Sequence, residues 1–277
     1  MKKDLKKVMV VISAFMLSMA SSSFAATTVG GDLDDGTTQT VTAPTYTVGL
    51  GLAALPQYEG SKDYNGALVP FFRAQMATGQ YLQLMGGTLT VNIVEDKTWQ
   101  AGPLLRYRGE RKPSDIDNSY FKNHPIKVVD AAVELGGFVG FQANEWNARF
   151  EMAQDVADAH KGLLATLSGG YTYAITKDAS LGLNLSTTYA SSNYMETYFS
   201  GPIFNGNTQI GYHTAEAGIK DVAAAVIGRY RIDPHWGLIG AVRLTELVGD
   251  GASNSPVVKD GGSSTQMTAG VLATYKF

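Results

Sequence analysis

Apolar and polar residues alternate with a period of two in segments spread along most of this 277-residue chain. In EWNARFEMAQD (145–155), every second residue from Trp146 to Met152 is apolar, whereas Arg149 and Glu151 lie between them. Such alternation indicates a β-strand whose two faces lie in different environments. Charged residues in the middle of these segments occur on one face only. The same pattern recurs at 45–55, 98–109, 128–142 and 236–248.

The N-terminal segment has the three parts of a secretory signal. Four lysines in the first seven residues precede the apolar run VMVVISAFML, and SSSFA supplies small residues before Ala26. The apolar run is shorter than the roughly 20 residues that a membrane-spanning helix needs. We therefore expect residues 1–25 to be a signal peptide cleaved after Ala25. Residues 26–44 are small, polar and acidic, and are expected to form a flexible periplasmic leader.

Composition narrows the class of protein further. The chain has no cysteine and a formal charge of −3, and loss of the lysine-rich signal peptide makes the mature chain more acidic. An exported protein of this composition uses no disulfide or thiolate metal site. It also lacks the basic surface that nucleic-acid binding requires, so no nucleic-acid partner is expected. No apolar run after the signal could span a bilayer as a helix, which leaves a soluble β-sandwich or a transmembrane β-barrel.

Short and long connections help to separate these two classes. Short polar turns at 77–80, 95–98, 142–145, 176–179 and 233–235 are interspersed with long polar segments at 56–66, 109–127, 155–161, 191–216 and 249–264. Regular alternation of turns and loops requires a further turn at Gly86–Gly87. The chain is then predicted to form an all-β, antiparallel transmembrane barrel over 45–277 with both termini periplasmic. Its twelve predicted strands are 45–55, 67–76, 80–86, 88–94, 98–109, 128–142, 145–155, 162–175, 179–191, 217–232, 236–248 and 265–277.

Aromatic residues favour the barrel over the sandwich. Trp99, Trp146 and Trp236 each begin a predicted strand directly after a short turn, so all three are expected in one interfacial girdle. The chain ends in YKF, which places Tyr275 and Phe277 in the same girdle. A final strand that ends in an aromatic residue resembles the signal by which the barrel assembly machinery recognises its substrates. Tyr275 and Phe277 are therefore predicted to be the assembly signal.

The charged face of the strands would line the lumen of such a barrel. One interpretation of this face is an anion-favouring pore. The other, which we favour, is a narrow lumen filled by pairs of arginines and carboxylates. Three further carboxylates, Asp130, Asp155 and Asp221, are also expected to point inward. The principal lumen-facing charges are predicted to be Arg73, Arg106, Arg108, Glu134, Arg149, Glu151, Arg229, Arg231 and Arg243.

Catalytic chemistry has little support in the sequence. Asp155, Asp158, His160 and His213 lie in predicted outer loops and could in principle form a general base. No spacing fixes their geometry, so we interpret them as solvated loop residues. There is no Gly-x-Ser-x-Gly motif, no His-x-x-x-His pair and no EF-hand spacing in GGDLDDG. We accordingly predict no catalytic, cofactor-binding or metal-binding residue, and no enzyme activity.

Several longer segments of the chain form a recognisable combination. They are LPQYEGSKDY, GPLLRYRGER, ELGGF, NYMETYFSG, AGIKDVAAAVIGRYRIDPHWGL, GDGASNSPVV and the terminal YKF. Together they resemble the MipA/OmpV family of outer-membrane proteins. The resemblance covers essentially all of 45–277, although Ser200 separates the Tyr-Phe pair from the glycine that usually follows it in the family.

Membership would imply a Gram-negative outer-membrane β-barrel without known catalytic activity. The family's namesake is a scaffold that joins a lytic transglycosylase to a penicillin-binding protein. The implied partners are therefore outer-membrane lipid, the assembly machinery and these two enzymes. A small-solute channel, or a surface adhesin or stress-response barrel that uses loops 109–127 and 191–216, remain the alternatives.

Overall fold

The computed structural model describes residues 43–112, 121, 123–124 and 126–277. The predicted signal peptide, and all but the last two residues of the predicted leader, lie outside the described residues. The described chain is built mainly of β-strands, with three short helices.

Twelve strands close into a single antiparallel barrel, as the sequence predicts. The described strands are β1 (Thr45–Pro56), β2 (Tyr64–Gln75), β3 (Tyr81–Met85), β4 (Thr88–Asn92), β5 (Trp99–Arg108), β6 (Ala132–Ala143), β7 (Trp146–Asp155), β8 (Leu163–Ala174), β9 (Ala179–Ala190), β10 (Gly201–Asn205), β11 (Thr208–His213), β12 (Gly218–Arg231), β13 (Trp236–Leu247) and β14 (Thr265–Lys276). The order around the barrel is β1-β14-β13-β12-β9-β8-β7-β6-β5-β4-β3-β2, and β2 pairs with β1 to close it. The other two strands, β10 and β11, form a separate hairpin.

The predicted turn at Gly86–Gly87 is confirmed. Met85 pairs directly with Thr88, so the two glycines alone connect β3 to β4. Gly86 has a φ of +54°, in the left-handed region that two-residue hairpin turns require. This turn brings the number of barrel strands to twelve.

The two faces of the barrel strands differ as the alternation predicts. In β1, Leu50 and Leu52 are exposed, whereas their neighbours Gly51 and Ala53 are buried. Leu181, Leu183 and Leu185 of β9 continue the same exposed apolar surface. A soluble sandwich would bury its apolar face between two sheets. Here that face is the outside of a closed barrel, which is the arrangement of a membrane-spanning barrel.

Two predicted loops contain regular structure that the sequence analysis missed. The 191–216 segment forms helix α1 (Ser192–Phe199) and the β10–β11 hairpin, and 249–264 contains α2 (Gly249–Ser253) and α3 (Pro256–Lys259). Alternation with a period of two reveals barrel strands but does not reveal a single helix of eight residues. Strand β6 also begins at Ala132, later than predicted, so Asp130 lies before the strand and is exposed rather than inward.

In the described part of the chain, no helix has the length and apolar character needed to cross a membrane.

An apolar cluster fills part of the lumen. Its five buried side chains come from β2, β3, β12, β13 and β14, and Ala241 packs against them. Because these five strands, together with β1 between β14 and β2, form half of the barrel circumference, contact among their inward side chains leaves little open space at that level. The cluster, called the apolar floor below, consists of Phe71, Met85, Ile227, Ile239 and Leu272.

Candidate functional site

Five predicted lumen charges form one continuous set of ion pairs on the inner wall of β5, β6 and β7. Arg149 Nε donates to Glu151 Oε1 at 2.6 Å, and Arg106 Nη2 donates to Glu151 Oε2 at 2.7 Å. Arg106 also contacts Glu134 at 3.4 Å, and Arg108 Nε donates to Glu134 Oε1 at 2.6 Å. All five side chains are buried. This set, Arg106, Arg108, Glu134, Arg149 and Glu151, is called the charge ladder.

Aromatic and amide groups continue the ladder towards the short-turn end of the barrel. The Arg149 guanidinium lies 3.6 Å from the ring centre of Phe138, and its Nη1 donates to the Tyr81 hydroxyl at 3.4 Å. Arg73 stacks on Tyr81 at 4.3 Å and donates to Gln83 at 2.9 Å and to Gln75 at 3.1 Å. These largely buried side chains line the lumen on the β2–β7 side.

The other three predicted arginines lie outside the ladder. Arg231 pairs with Asp178 of a short turn at 2.8 Å, and both groups are partly exposed at the end of the barrel. Arg229 is partly buried and lies beside Gly182, where a Cβ would meet its Nη1 at 3.3 Å. Arg243 donates to the hydroxyls of Ser186 at 3.0 Å and Thr245 at 3.2 Å.

The candidate general-base group does not assemble. Asp158 is exposed, and His213 Nε2 lies 3.1 Å from the Gly251 carbonyl. Asp155 instead accepts hydrogen bonds from the backbone N–H groups of 157, 160 and 161 at 2.7 to 2.9 Å, which fixes the β7–β8 loop.

His160 is part of the ladder rather than of a catalytic site. Its Nδ1 accepts from the backbone N–H of Gly162 at 3.0 Å, which leaves Nε2 as the protonated nitrogen. Nε2 then donates to Glu134 Oε1 at 3.2 Å. Glu134 therefore accepts from two arginines and one histidine.

Helix α1 covers the long-loop end of the lumen. Tyr194, Met195, Tyr198 and Phe199 are fully or almost fully buried and pack with Leu247 and Val258, among other residues. We call α1, the β1–β2 loop, α2 and α3 the loop cap.

Arg111 fixes the end of α1. Its Nη1 and Nη2 donate to the carbonyls of Tyr198 and Thr197 at 3.0 and 3.4 Å, and its Nε donates to the Lys127 carbonyl at 2.8 Å. The last carbonyls of a helix have no partner within the helix and favour a nearby cation. Arg111 is 1 % exposed, so it acts as a buried cap for these carbonyls.

A second buried group connects the loop cap to the barrel wall. Tyr194 Oη donates to Glu59 Oε2 at 2.6 Å, and Lys220 bonds to both Glu59 and Asp221. A register shift between Ile219 and Asp221 makes Lys220 an extra residue in β12, so two consecutive side chains are buried. The Arg108 guanidinium lies 5.2 Å from the Tyr194 ring centre. Glu59, Tyr194, Lys220 and Asp221 are called the latch, and Arg108 joins it to the charge ladder.

The electrostatics of the latch favour an ionised Glu59. Burial acts to raise the pKa of Glu59, but Lys220 and Arg108 outweigh burial and hold that pKa below its usual value. Burial raises the pKa of Tyr194 well above its usual value, and that of Tyr198 to about 12. The carboxylate therefore accepts a hydrogen bond from a neutral phenol.

Arg111 and three residues of the latch, Glu59, Tyr194 and Lys220, were missed by the sequence analysis, although a signal was present. The fourth latch residue, Asp221, was expected to point inward and is buried. Glu59, Arg111, Tyr194 and Lys220 lie in four different segments that carry the family resemblance. A fifth such segment contributes Ser255, whose hydroxyl donates to the Phe199 carbonyl. Segments far apart in the chain thus meet in the loop cap.

The short-turn end carries the predicted aromatic girdle. Trp99, Trp146 and Trp236 begin β5, β7 and β13 and are about half exposed. Each packs edge-on against an aromatic ring of an adjacent strand, with Tyr275 lying 5.1 Å from Trp236 and 5.0 Å from Phe277. The backbone N–H of Phe277 also donates to the Tyr46 carbonyl at 2.9 Å, which ties down the chain end.

Two of these tryptophans follow the same local motif. Asp96 accepts from the backbone N–H groups of Thr98 and Trp99 at 2.7 and 2.6 Å, and Asp233 accepts from His235 and Trp236 at 2.8 and 2.7 Å. These hydrogen bonds lower the pKa of the Asp96 and Asp233 carboxyls, and the bond from each tryptophan N–H has the larger effect. An Asp-x-x-Trp motif therefore fixes the turn and the start of the next strand.

A closed twelve-stranded barrel with an apolar exterior, a charged interior and an aromatic girdle defines an outer-membrane β-barrel protein. The family follows from direct comparison. The family model described as MltA-interacting protein MipA matches residues 48–277, and the chain belongs to this family.

Other comparisons are more distant. No curated protein matches the chain. Among solved structures, the NanC porin is 11 % identical, with a TM-score of 0.43, over 84 % of this chain and 100 % of that chain. The COG4313 outer membrane channel from Pseudomonas putida F1 is also 11 % identical, with a TM-score of 0.43, over 85 % and 96 %. The translocator domain of the autotransporter NalP from Neisseria meningitidis is 10 % identical, with a TM-score of 0.40, over 88 % and 91 %.

Proposed function

We propose that this protein is a non-enzymatic scaffold of the outer membrane that binds peptidoglycan-remodelling enzymes. The observation that supports this role most directly is the occupied lumen, in which the charge ladder, the apolar floor and the loop cap leave little room for transport. The family description names MltA as a partner of the protein after which the family is called. We extend that partner, a lytic transglycosylase, to this chain, and we add penicillin-binding proteins because the family resemblance implies them.

The contact surface is expected at the short turns. Short turns of bacterial barrels lie on the periplasmic side, where murein enzymes work. The exposed turn residues here are predominantly acidic, with Glu95, Asp96, Glu145 and Asp233 against Lys97 and Lys177. Hydrogen bonds within the turns hold the surface in one conformation, which lowers the entropy cost of binding. A basic surface on the partner enzyme would complement it.

A crosslinked pull-down from native envelopes tests the scaffold directly. Wild-type protein should recover a lytic transglycosylase or a penicillin-binding protein, identified by mass spectrometry. The double variant Glu95→Lys, Glu145→Lys should recover less enzyme, because it reverses two charges of the acidic surface. Both side chains are exposed on the short turns and neither carries a turn hydrogen bond, so the turns should keep their conformation. Glu196→Lys with Glu216→Lys is the matched control at the long-loop end. Equal recovery by both double variants, or a barrel with neither enzyme bound, would contradict the proposal.

A small-solute channel is the second candidate. It is favoured by inward-facing positions of β13 and β14 that remain partly exposed, in contrast to the buried wall of β5 to β7. Arg106→Ala with Arg149→Ala should change ion selectivity in planar bilayers if solutes pass the ladder. Negligible conductance of both wild type and variant would exclude this candidate.

Export through residues 1–25 and assembly through Tyr275 and Phe277 remain predictions.

A further inference from the structure

One sector of the lumen retains accessible surface. Ala241, Arg243 and Thr245 of β13 and Thr268 and Gly270 of β14 are partly exposed. They alternate with lipid-side residues such as Val242, Leu244 and Val271. These five positions therefore face inward, and their accessible surface belongs to the lumen. We call them the open sector.

The open sector has a floor and a roof. Ala241 packs on the apolar floor, which lies on the short-turn side. On the long-loop side, Gln266 donates to the Ser61 carbonyl at 3.0 Å, and Leu247 is buried in the loop cap. The space around Arg243 therefore lies between an apolar layer and a polar, hydrogen-bonded cover.

Arg243 is the charged group of this space. Its register partner on β12 is Ala225, whose small side chain allows the guanidinium to reach Ser186 on the next strand. Nε and Nη2 bond to hydroxyls, whereas Nη1 makes no hydrogen bond to any described residue. Within the described part of the chain, no carboxylate lies within ion-pair distance of Arg243, in contrast to Arg106, Arg108 and Arg149. Asp221 acts on Arg243 only at longer range and is already paired with Lys220.

A guanidinium inside a barrel is costly without a counter-charge, unless water solvates it. Its planar set of N–H donors matches a carboxylate better than a spherical ion. We propose that the open sector is a binding site for a small monocarboxylate anion, held by Arg243 with Ser186 and Thr245 positioning the guanidinium. One cation matches one negative charge, and the apolar floor accommodates a short alkyl group. The proposal is independent of the scaffold function.

Acetate is the probe for this site. Saturation-transfer NMR with the full chain in detergent micelles should show saturable acetate binding, and acetamide, which has the same shape without charge, should show none. Arg243→Gln should weaken acetate binding about tenfold or more, since a hydrogen bond to a charged group is lost. Arg231→Gln, which removes an arginine already paired with Asp178, is the matched control and should bind as wild type does.

Three results would overturn the proposal. These are no saturable acetate binding to the wild-type protein, unchanged binding to Arg243→Gln, and displacement of acetate by chloride at equal concentration, which would indicate a simple halide site. Heat-dependent mobility in gels checks that each variant is folded. If Arg243→Gln does not fold, Arg243→Lys retains the charge without the planar donors. Weaker binding to the lysine variant supports the site, and wild-type affinity contradicts the carboxylate assignment.

Discussion

At the residue scale, the carboxylates of the lumen differ in how much they contribute to the stability of the barrel. Glu134 is 0 % exposed and accepts from Arg106, Arg108 and His160, so one carboxylate offsets two buried guanidinium groups. Removing one partner of a buried ion pair leaves the other charge uncompensated. Partly exposed pairs such as Lys112 with Glu110 carry a much smaller penalty, because water reaches both groups.

Glu134→Gln is therefore expected to destabilise the barrel by about 3–5 kcal/mol. The amide retains the size of the side chain but removes its charge and replaces one acceptor oxygen with an NH2 donor. The loss therefore reports the electrostatic and hydrogen-bonding role of the carboxylate. Urea-induced unfolding in detergent, followed by tryptophan fluorescence, measures it. Glu110→Gln should change stability by less than about 1 kcal/mol. Similar losses for the two variants would indicate that Glu134 acts through packing.

Glu59 makes the loop cap sensitive to acid. Since its pKa in the folded protein lies below the ordinary value of 4.5, ionised Glu59 stabilises the cap above that value. This stabilisation is lost as the pH falls through the lower, folded-state pKa. Protease protection of segment 191–216 should accordingly be constant near about pH 7 and decrease towards about pH 3. Glu59→Gln should show weaker protection at neutral pH and a smaller change with acid; an unaltered profile would contradict the role of the latch.

At the element scale, α1 depends on its surroundings. It has eight residues and no side-chain cap at its N-terminus, and isolated helices of this length are unstable in water. Burial of Tyr194, Met195 and Phe199, with Arg111 at the C-terminus, provides the stabilisation that the sequence of the helix lacks.

Arg111→Gln should loosen α1 by about 1–3 kcal/mol, because buried carbonyls then lose their donor. Hydrogen exchange of the amides of 192–199 should become faster while that of β8 and β9 stays slow. Lys112→Gln, a neighbouring change at a partly exposed side chain, should leave the exchange of α1 unaltered. Slow exchange of α1 in both variants would mean that packing alone holds the helix.

The β3–β4 turn gives a second prediction at the element scale, which concerns the backbone conformation of Gly86. Gly86→Ala should cost about 1–2 kcal/mol, because an L-residue is disfavoured at its φ of +54°. A Cβ at this position meets nothing closer than 4.0 Å, so crowding is not the cause. Gly66→Ala is the matched control, since a Cβ there contacts nothing within 4 Å and its backbone is not left-handed. Equal unfolding midpoints for both variants would contradict the assigned cause.

These elements also show how far sequence reasoning extends. Strand positions follow from a two-residue period, and turn positions follow from Gly86 or from the aspartates before Trp99 and Trp236, because both signals are local. The partnership of Glu59 with Lys220 joins residues far apart in the chain and depends on a β-bulge in β12. The ladder lies between these cases: alternation predicts that Arg106 and Glu134 share a face, but only strand order and register make them neighbours.

At the scale of the whole molecule, the proposed scaffold requires a barrel that stays closed while it holds its partner. The ladder occupies one side of the lumen, the apolar floor occupies the other, and the latch fixes the loop cap over both. The latch connects the loop cap to the barrel wall through groups of opposite charge. Weakening the latch should therefore open the long-loop end of the lumen without unfolding the strands.

Planar-bilayer recordings test this closure. Wild-type protein should give negligible steady conductance, whereas Glu59→Gln combined with Tyr194→Phe should increase the frequency and duration of open events. In that variant Asp221 is the only carboxylate among the described residues that still pairs with Lys220. Glu196→Gln, which removes an exposed carboxylate from the same helix, should behave as wild type does. Stable conductance of the wild-type protein would show that the open sector continues through the barrel and would favour the channel. A silent double variant would mean that the ladder and the apolar floor close the lumen without the cap.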